Sequence, residues 1–133
     1  MLAFVNDFNP TARGIKRCYV AENFSPSTIH AWHGHLKEAK GVLVVSGSAI
    51  VAVTGMTDTV NPDHTTKVHR YVLSARQPGV LWIPAGYANG RRALEPNTKM
   101  MFFSTTTLEE SSGDDYRFRW NYWGPEVWQV ENR

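Results

Sequence analysis

The chain has 133 residues, 42% of them apolar, and a formal net charge of +2. That length suits one domain, 1–133, with enough apolar side chains to fill a core; the scattered Lys and Arg argue against a dedicated nucleic-acid binder but leave a small anionic ligand open. Cys18 is the only cysteine, which excludes an internal disulfide and a cysteine-built zinc cluster, and with no signal-peptide pattern and no run of the roughly 18–20 apolar residues that span a bilayer, a soluble cytoplasmic protein is the expectation.

Residues 1–14 form an apolar lead-in (Leu2, Phe4, Val5, Phe8) closed by turn signals at Asn9-Pro10 and Arg13-Gly14. Ile15 to Ala21 reads as a strand, with Ile15, Arg17, Tyr19 and Ala21 on one side and Lys16, Cys18 and Val20 on the other. Asn23 to Ser27, with Pro26, is a loop. The stretch from Ile29 to Val53 organises the rest: a histidine strand, a polar run, then Val42–Val45 turning at Ser46-Gly47 into Ala49–Val53, read as a hairpin. Residues 55–66 form an exposed loop, the one expected to move most. Lys67 to Leu73 alternates as a half-buried strand does, and Val80 to Ile83 is a short strand stopped by Pro84. Pro84 to Gly90 is read as a tight loop and Lys99 to Thr107 as the last long strand. The tail, 111–133, carries Trp120, Trp123 and Trp128 and is expected to pack, on this chain or on a second copy. With no amphipathic helix of ten or more residues and many short strands punctuated by Gly and Pro, the fold class is all-β, an antiparallel sandwich or barrel.

Residues i and i+2 of a strand face one side, so His33 and His35 point the same way. Two imidazoles converging inside a small β-structure are the best clue to chemistry. His30, of opposite parity, reads as surface or interface, and His64 and His69 flank a loop. Plainer roles exist for the neighbours: Asn89 before Gly90 suits a turn cap, Lys40 could snorkel outward, and only one of Arg91 and Arg92 can face inward on a strand.

The histidine strand and the Pro84 loop together resemble the two motifs of the cupin superfamily. His33, His35 and Gly47 fall in register with G-x5-H-x-H-x3,4-E-x6-G, with Lys40 at the glutamate position; Pro84 and Gly86 fall in register with G-x5-P-x-G-x2-H-x3-N, with Asn89 at the histidine position. The resemblance implies a cupin-type double-sheet jelly-roll barrel with few or no helices. Metal-binding cupins use those four positions as ligands; here half are replaced and one replacement is a cation, which repels a divalent ion. No metal and no cofactor are therefore expected, although a metal site completed by Glu38 or water is a third possibility.

Within the superfamily, Ile15-Lys16-Arg17-Cys18-Tyr19 is similar to the I-K-R-x-Y strand of the dTDP-4-keto-6-deoxyglucose 3,4-ketoisomerases. Lys40–Gly47, Trp82–Gly90 and Arg119-Trp120-Asn121 are similar to segments of the dTDP-4-dehydrorhamnose 3,5-epimerases. The catalytic tyrosine of the epimerases falls near Leu108-Glu109 here, and the aspartate paired with their histidine near Asn121-Tyr122. The ketoisomerases do not rely on those positions, so the resemblance favours 3,4-ketoisomerisation over 3,5-epimerisation of a nucleotide-linked 4-keto-6-deoxy sugar, dTDP-linked, by a homodimer. It implies His33 or His35 as base at C3 with the other as relay, and Lys40 and Asn89 facing the oxyanion. Lys16, Arg17, Tyr19, Arg91 and Arg92 would bind substrate. The alternative is a non-catalytic cupin that binds a carbohydrate or nucleotide sugar.

Overall fold

The computed structural model describes residues 5–130. The strands run in the order β1 (Arg17–Asn23), β2 (Ile29–His35), β3 (Lys40–Ser46), β4 (Ser48–Gly55), β5 (Val68–Ser74), β6 (Leu81–Ile83), β7 (Tyr87–Ala93), β8 (Thr98–Ser104) and β9 (Tyr116–Arg117). One α-helical turn, α1 (Leu108–Ser111), precedes β9, and a 3-10 turn spans Pro125–Trp128. A four-stranded antiparallel sheet, β1-β8-β3-β6, faces a five-stranded one, β5-β4-β7-β2-β9. This is the cupin-type double-sheet fold.

The expected strands all form, but two connections differ from the sequence reading. Ser46-Gly47 is not a hairpin turn: β3 pairs with β6 and β8, whereas β4 pairs with β5 and β7. The chain crosses between sheets there, and Gly47, at φ 77°, takes the left-handed conformation that the corner requires. The tight loop after Pro84 is shorter than expected. Gly86, at φ 89°, makes the turn, and β7 starts at Tyr87, so Asn89 lies mid-strand opposite His33 and Val53 rather than capping a turn.

The inward faces of β3, β4, β6 and β8 build one core around Val42, Val44, Val51, Val53, Ile83, Met100 and Phe102. β4 is buried on its other face too, because Ile50 and Ala52 join Trp32, Ala88, Trp123, Val127 and Trp128 in a second core on the outer side of the five-stranded sheet. That is why β4 reads as a nearly unbroken apolar run instead of alternating. The aromatic tail thus packs on its own chain. The indole N–H groups of Trp32 and Trp128 both donate to the Trp120 carbonyl, at 3.0 and 2.8 Å. The 55–66 loop is anchored by the same tail: the Tyr122 hydroxyl donates to the Pro62 carbonyl at 2.5 Å, and the Trp123 indole to the Asp63 carbonyl at 3.1 Å. In the lead-in, Phe8 lies 5.0 Å from Phe103 and Arg13 sits over Trp82 at 4.7 Å, covering part of the four-stranded sheet's outer face. Leu2 and Phe4 lie outside the described residues.

Gly90 is a cradle for this outer core: a Cβ there would meet Ala31 and come within 2.8 Å of the Trp128 ring. Trp128→Ala should therefore lower stability by ~3–5 kcal/mol, the usual cost of emptying a buried aromatic site. Trp120→Ala, whose side chain is half-exposed and whose carbonyl survives the change, should cost about 1 kcal/mol or less. Urea unfolding followed by circular dichroism compares the two; equal losses would show that the tail contributes no core.

Candidate functional site

Strand parity explains how the site forms. β2 turns Trp32 outward to the tail and His33 and His35 inward; β7 turns Ala88 outward and Asn89 and Arg91 inward. From the facing sheet, β1 sends in Arg17 and Tyr19, β3 sends in Lys40, and β8 sends in Phe102. All eight inward residues line one cavity of about 430 Å³. Seven of the expected site residues are thus brought together. Lys16 and Arg92 are not. Lys16 has the opposite parity from Arg17 and reaches Glu110 on the surface, 3.1 Å away. Arg92 points away from the cavity and donates to the carbonyls of Pro26 and Trp128, at 2.9 and 2.5 Å. Its work is to fasten the tail.

The two histidines have different surroundings. His35 is buried, and its Nδ1 lies 2.6 Å from the backbone carbonyl of Asp114 and 3.4 Å from Glu38 Oε2. Both neighbours only accept, so Nδ1 carries the proton. The lone pair is then on Nε2, where Lys40 Nζ stands 3.3 Å away as donor. Lys40 is almost fully buried; burial pulls its pKa down, and the Glu38 carboxylate opposes part of that shift. His33 keeps a third of its side chain exposed, and its Nδ1 lies 3.8 Å from Asp115 Oδ1. Its pKa is lowered to about 4, first by burial and then by the positive charges of Lys40 and Arg117, with Asp115 pulling the other way. At neutral pH His33 is an uncharged imidazole with a free lone pair.

Glu38 is not poised to bind an ion. Its carboxylate accepts from Ser104 Oγ at 2.5 Å and from the Arg17 guanidinium at 3.4 Å. Among the described residues no three His, Cys, Asp or Glu side chains converge in a metal-binding group. The donor set itself fits a metal poorly, because a lysine nitrogen stands at the His35 lone pair.

Arg91 is a cavity cation with no carboxylate partner among the described residues. Its guanidinium lies over the Phe102 ring at 5.2 Å, its buried Nε has no hydrogen-bond partner, and it makes no ion pair among the described residues. Tyr19 stacks on the other side of the same region, 5.0 Å from Phe102 with the rings 13° apart. Burial, then the Glu38 charge, raises the Tyr19 pKa, so the phenol keeps its proton. Two cations opposite one aromatic platform suit an anion carrying a planar group.

Sequence reasoning missed Asp115, Phe102, Ser111 and the part played by Glu38. Asp115 reaches His33 because β9 pairs with β2, with Arg117 opposite His33. Ser111 comes from α1, where Thr107 and Glu110 form a capping box at the cavity rim. That T-x-x-E pattern was a readable sign of a helical start; the β2–β9 pairing had no local sign.

No family model matches the chain, and no curated relative does. Solved structures do. A dTDP-4-dehydrorhamnose 3,5-epimerase from Bacillus anthracis, with TDP and PPi bound, superposes with a TM-score of 0.73 at 21% identity, over 89% of this chain and 71% of that one. The TDP-quinovose 3,4-ketoisomerase of Campylobacter jejuni gives 0.63 at 14% identity, over 82% and 75%. The capsular polysaccharide assembling protein of Staphylococcus aureus gives 0.60 at 20% identity over 77% of this chain, which spans 25% of that longer protein. The chain therefore has the double-sheet fold of the nucleotide-sugar 3,5-epimerases and 3,4-ketoisomerases, the group that its motifs resemble.

Proposed function

We propose that this protein is a metal-free isomerase of a nucleotide-linked 4-keto-6-deoxy sugar, with 3,4-ketoisomerisation as its reaction. The observation that carries the reading is the pairing, across one cavity, of a neutral imidazole with a free lone pair (His33, backed by Asp115) and two cations, Lys40 and Arg91. A ketone at C4 acidifies the C3 proton because the resulting charge spreads onto O4. His33 removes that proton; the C–H electron pair becomes the C3=C4 bond, and the carbonyl pair moves to O4, where Lys40 stabilises it. Proton delivery to O4, with Tyr19 as an available donor, gives the enediol. The Tyr19 phenolate then takes the O3 proton, the O3 pair becomes the C3=O bond, and the C3=C4 pair takes up at C4 the proton held by His33, which gives the 3-ketone and restores both groups. His35 takes no part as base, since its lone pair is committed to Lys40.

Arg17, together with Arg91, meets the diphosphate, and the Tyr19–Phe102 surface receives a ring. TDP in the Bacillus anthracis structure favours a dTDP-linked substrate. Epimerisation would need a second acid on the opposite face of C3. The position that holds a tyrosine in the epimerases is Leu108 or Glu109 here, and the Leu108 side chain that lines the cavity rim carries no proton to give. The reading includes a single-domain cytoplasmic homodimer, for which Val20 on the edge strand β1, more than half exposed, offers an apolar contact. A binder without catalysis would use the same cavity and differ only in leaving C3 untouched.

Incubation with a dTDP-4-keto-6-deoxy sugar in D₂O tests the reading. Deuterium should appear at C3 of recovered substrate and C4 of product, and His33→Asn should slow this by ~10²–10⁴-fold while the dTDP affinity stays. Tight dTDP binding without exchange would mean a binder. The pH dependence gives a second check. Because kcat/KM follows the base in the free enzyme, it should stay level from neutral pH down to about 5 and fall only as His33 protonates near 4. Asp115→Asn removes the one charge that raises this value, so the acid limb should move to still lower pH. A limb near 6.5, the ordinary imidazole value, would rule out His33 as the base.

A further inference from the structure

A dense set of polar contacts gathers one step behind the cavity, at Asp114. This residue is buried, and its carboxylate accepts three consecutive backbone N–H groups: Leu36 at 2.8 Å, Lys37 at 3.0 Å and Glu38 at 2.9 Å. Such a converging set of amides is a concave anion site, here filled from within the chain. Those three residues, with Ala39, form the connection between β2, which ends in His35, and β3, which begins with Lys40. The backbone carbonyl of the same Asp114 takes the His35 Nδ1–H at 2.6 Å. One residue therefore fixes both the ring of His35 and the turn that leads to Lys40. It does so without lining the cavity itself.

We propose that Asp114 is a positioning residue that selects the His35 tautomer and so aims the Lys40 amine into the cavity. Three groups in contact transmit this effect. With its carboxylate seated on the 36–38 amides, the Asp114 carbonyl is held against Nδ1; with Nδ1 occupied by a proton, Nε2 has a lone pair; and that lone pair holds Lys40 Nζ at 3.3 Å. The other charged group facing His35 is Glu38, 3.4 Å from Nδ1, and it is tied to Ser104 and Arg17. It adds to the same tautomer rather than opposing it. In the opposite tautomer, a proton on Nε2 would confront the Lys40 ammonium, which has only donors, and push it away. The inference rests on the isomerase reading only in giving Lys40 work at the oxyanion.

Asp114→Asn tests it, since the amide nearly preserves shape but turns an NH₂ toward amide donors where the carboxylate had an acceptor. Ring nitrogen shifts from ¹⁵N-histidine NMR of the substrate-free protein report the tautomer directly. The wild type should show His35 protonated at Nδ1 alone; Asp114→Asn should show a mixture of both tautomers. In turnover, kcat should fall by ~10–100-fold, the size of effect typical of groups that orient a site residue, with KM changed less than about threefold. A wild-type spectrum with the proton on Nε2 would overturn the proposal, and so would an Asp114→Asn protein whose His35 signals match wild type. If that variant does not fold, Asp114→Ser, which retains an acceptor for part of the turn, is measured in its place by the same criteria. An inactive wild type with His35 in the stated tautomer would count against the isomerase reading and leave the assignment of Asp114 as tautomer-setting intact.

Discussion

A lysine amine buried between two sheets, against the one bare nitrogen of an imidazole, is the constraint to which the rest of the molecule answers. Removing an ammonium from water costs several kcal/mol even after relaxation, so its surroundings must supply acceptors and counter-charge. His35 Nε2 supplies the acceptor and Glu38 the negative field that opposes desolvation. Glu38 in turn is buried and needs donors of its own, which come from Ser104 and Arg17 on β8 and β1. The polar interior is thus one connected set drawn from both sheets, and no member can be removed without stranding another. The same connectedness makes the site preorganised: the groups are held by the sandwich before any ligand enters.

Giving one end of the space between the sheets to charged and polar groups removes apolar area that the sandwich would otherwise bury. The chain compensates on the outside. Trp32, alternating with His33 on the same strand, faces outward to meet Trp123 at 5.0 Å and Trp128 at 5.1 Å. β2 is thereby a strand with chemistry on one face and the second core on the other. Arg92 and Arg91 divide the same two tasks on β7, one fastening the tail and the other entering the cavity. The aromatic C-terminal segment is a structural part of the site, since it backs the strands that carry the site residues.

How far the sequence could be read follows from whether a signal was local. Alternation grouped Arg17 with Tyr19 along β1 and His33 with His35 along β2, and the resemblance to the cupin motif put Lys40 at a ligand position beside the histidines. The parity rule also said that Arg91 and Arg92 must part, without saying which would enter. What alternation does not encode is sheet membership. Ser46-Gly47 looks like a hairpin turn because the residues on both sides are strand-forming, and only the pairing partners reveal a crossing between sheets. Asn89-Gly90 looks like a turn for a similar reason: Asn-Gly is favoured in turns, but Gly90 is there because Ala31 and Trp128 press on its backbone. Asp114 and Asp115 were visible only as charges in a tail. Their placement depends on a two-residue strand, β9, pairing with β2 from more than eighty positions away.

Those two neighbouring aspartates show how the fold turns a short pairing into chemistry. Asp114 and Asp115 lie just before β9 and part there: the Asp114 carboxylate holds the 36–38 turn, while Asp115 lines the cavity beside His33. Each acid serves a different histidine, and the two histidines thereby acquire different states: one imidazole fixed in a single tautomer and bonded to Lys40, the other neutral with a nitrogen free to take a proton. The proposed isomerisation would use that asymmetry, with one imidazole free to take the proton and the other bonded to the lysine. The identical spacing of His33 and His35 leaves them equivalent in the sequence; the structure separates them by which aspartate atom each ring meets, the Asp115 carboxylate for His33 and the Asp114 carbonyl for His35.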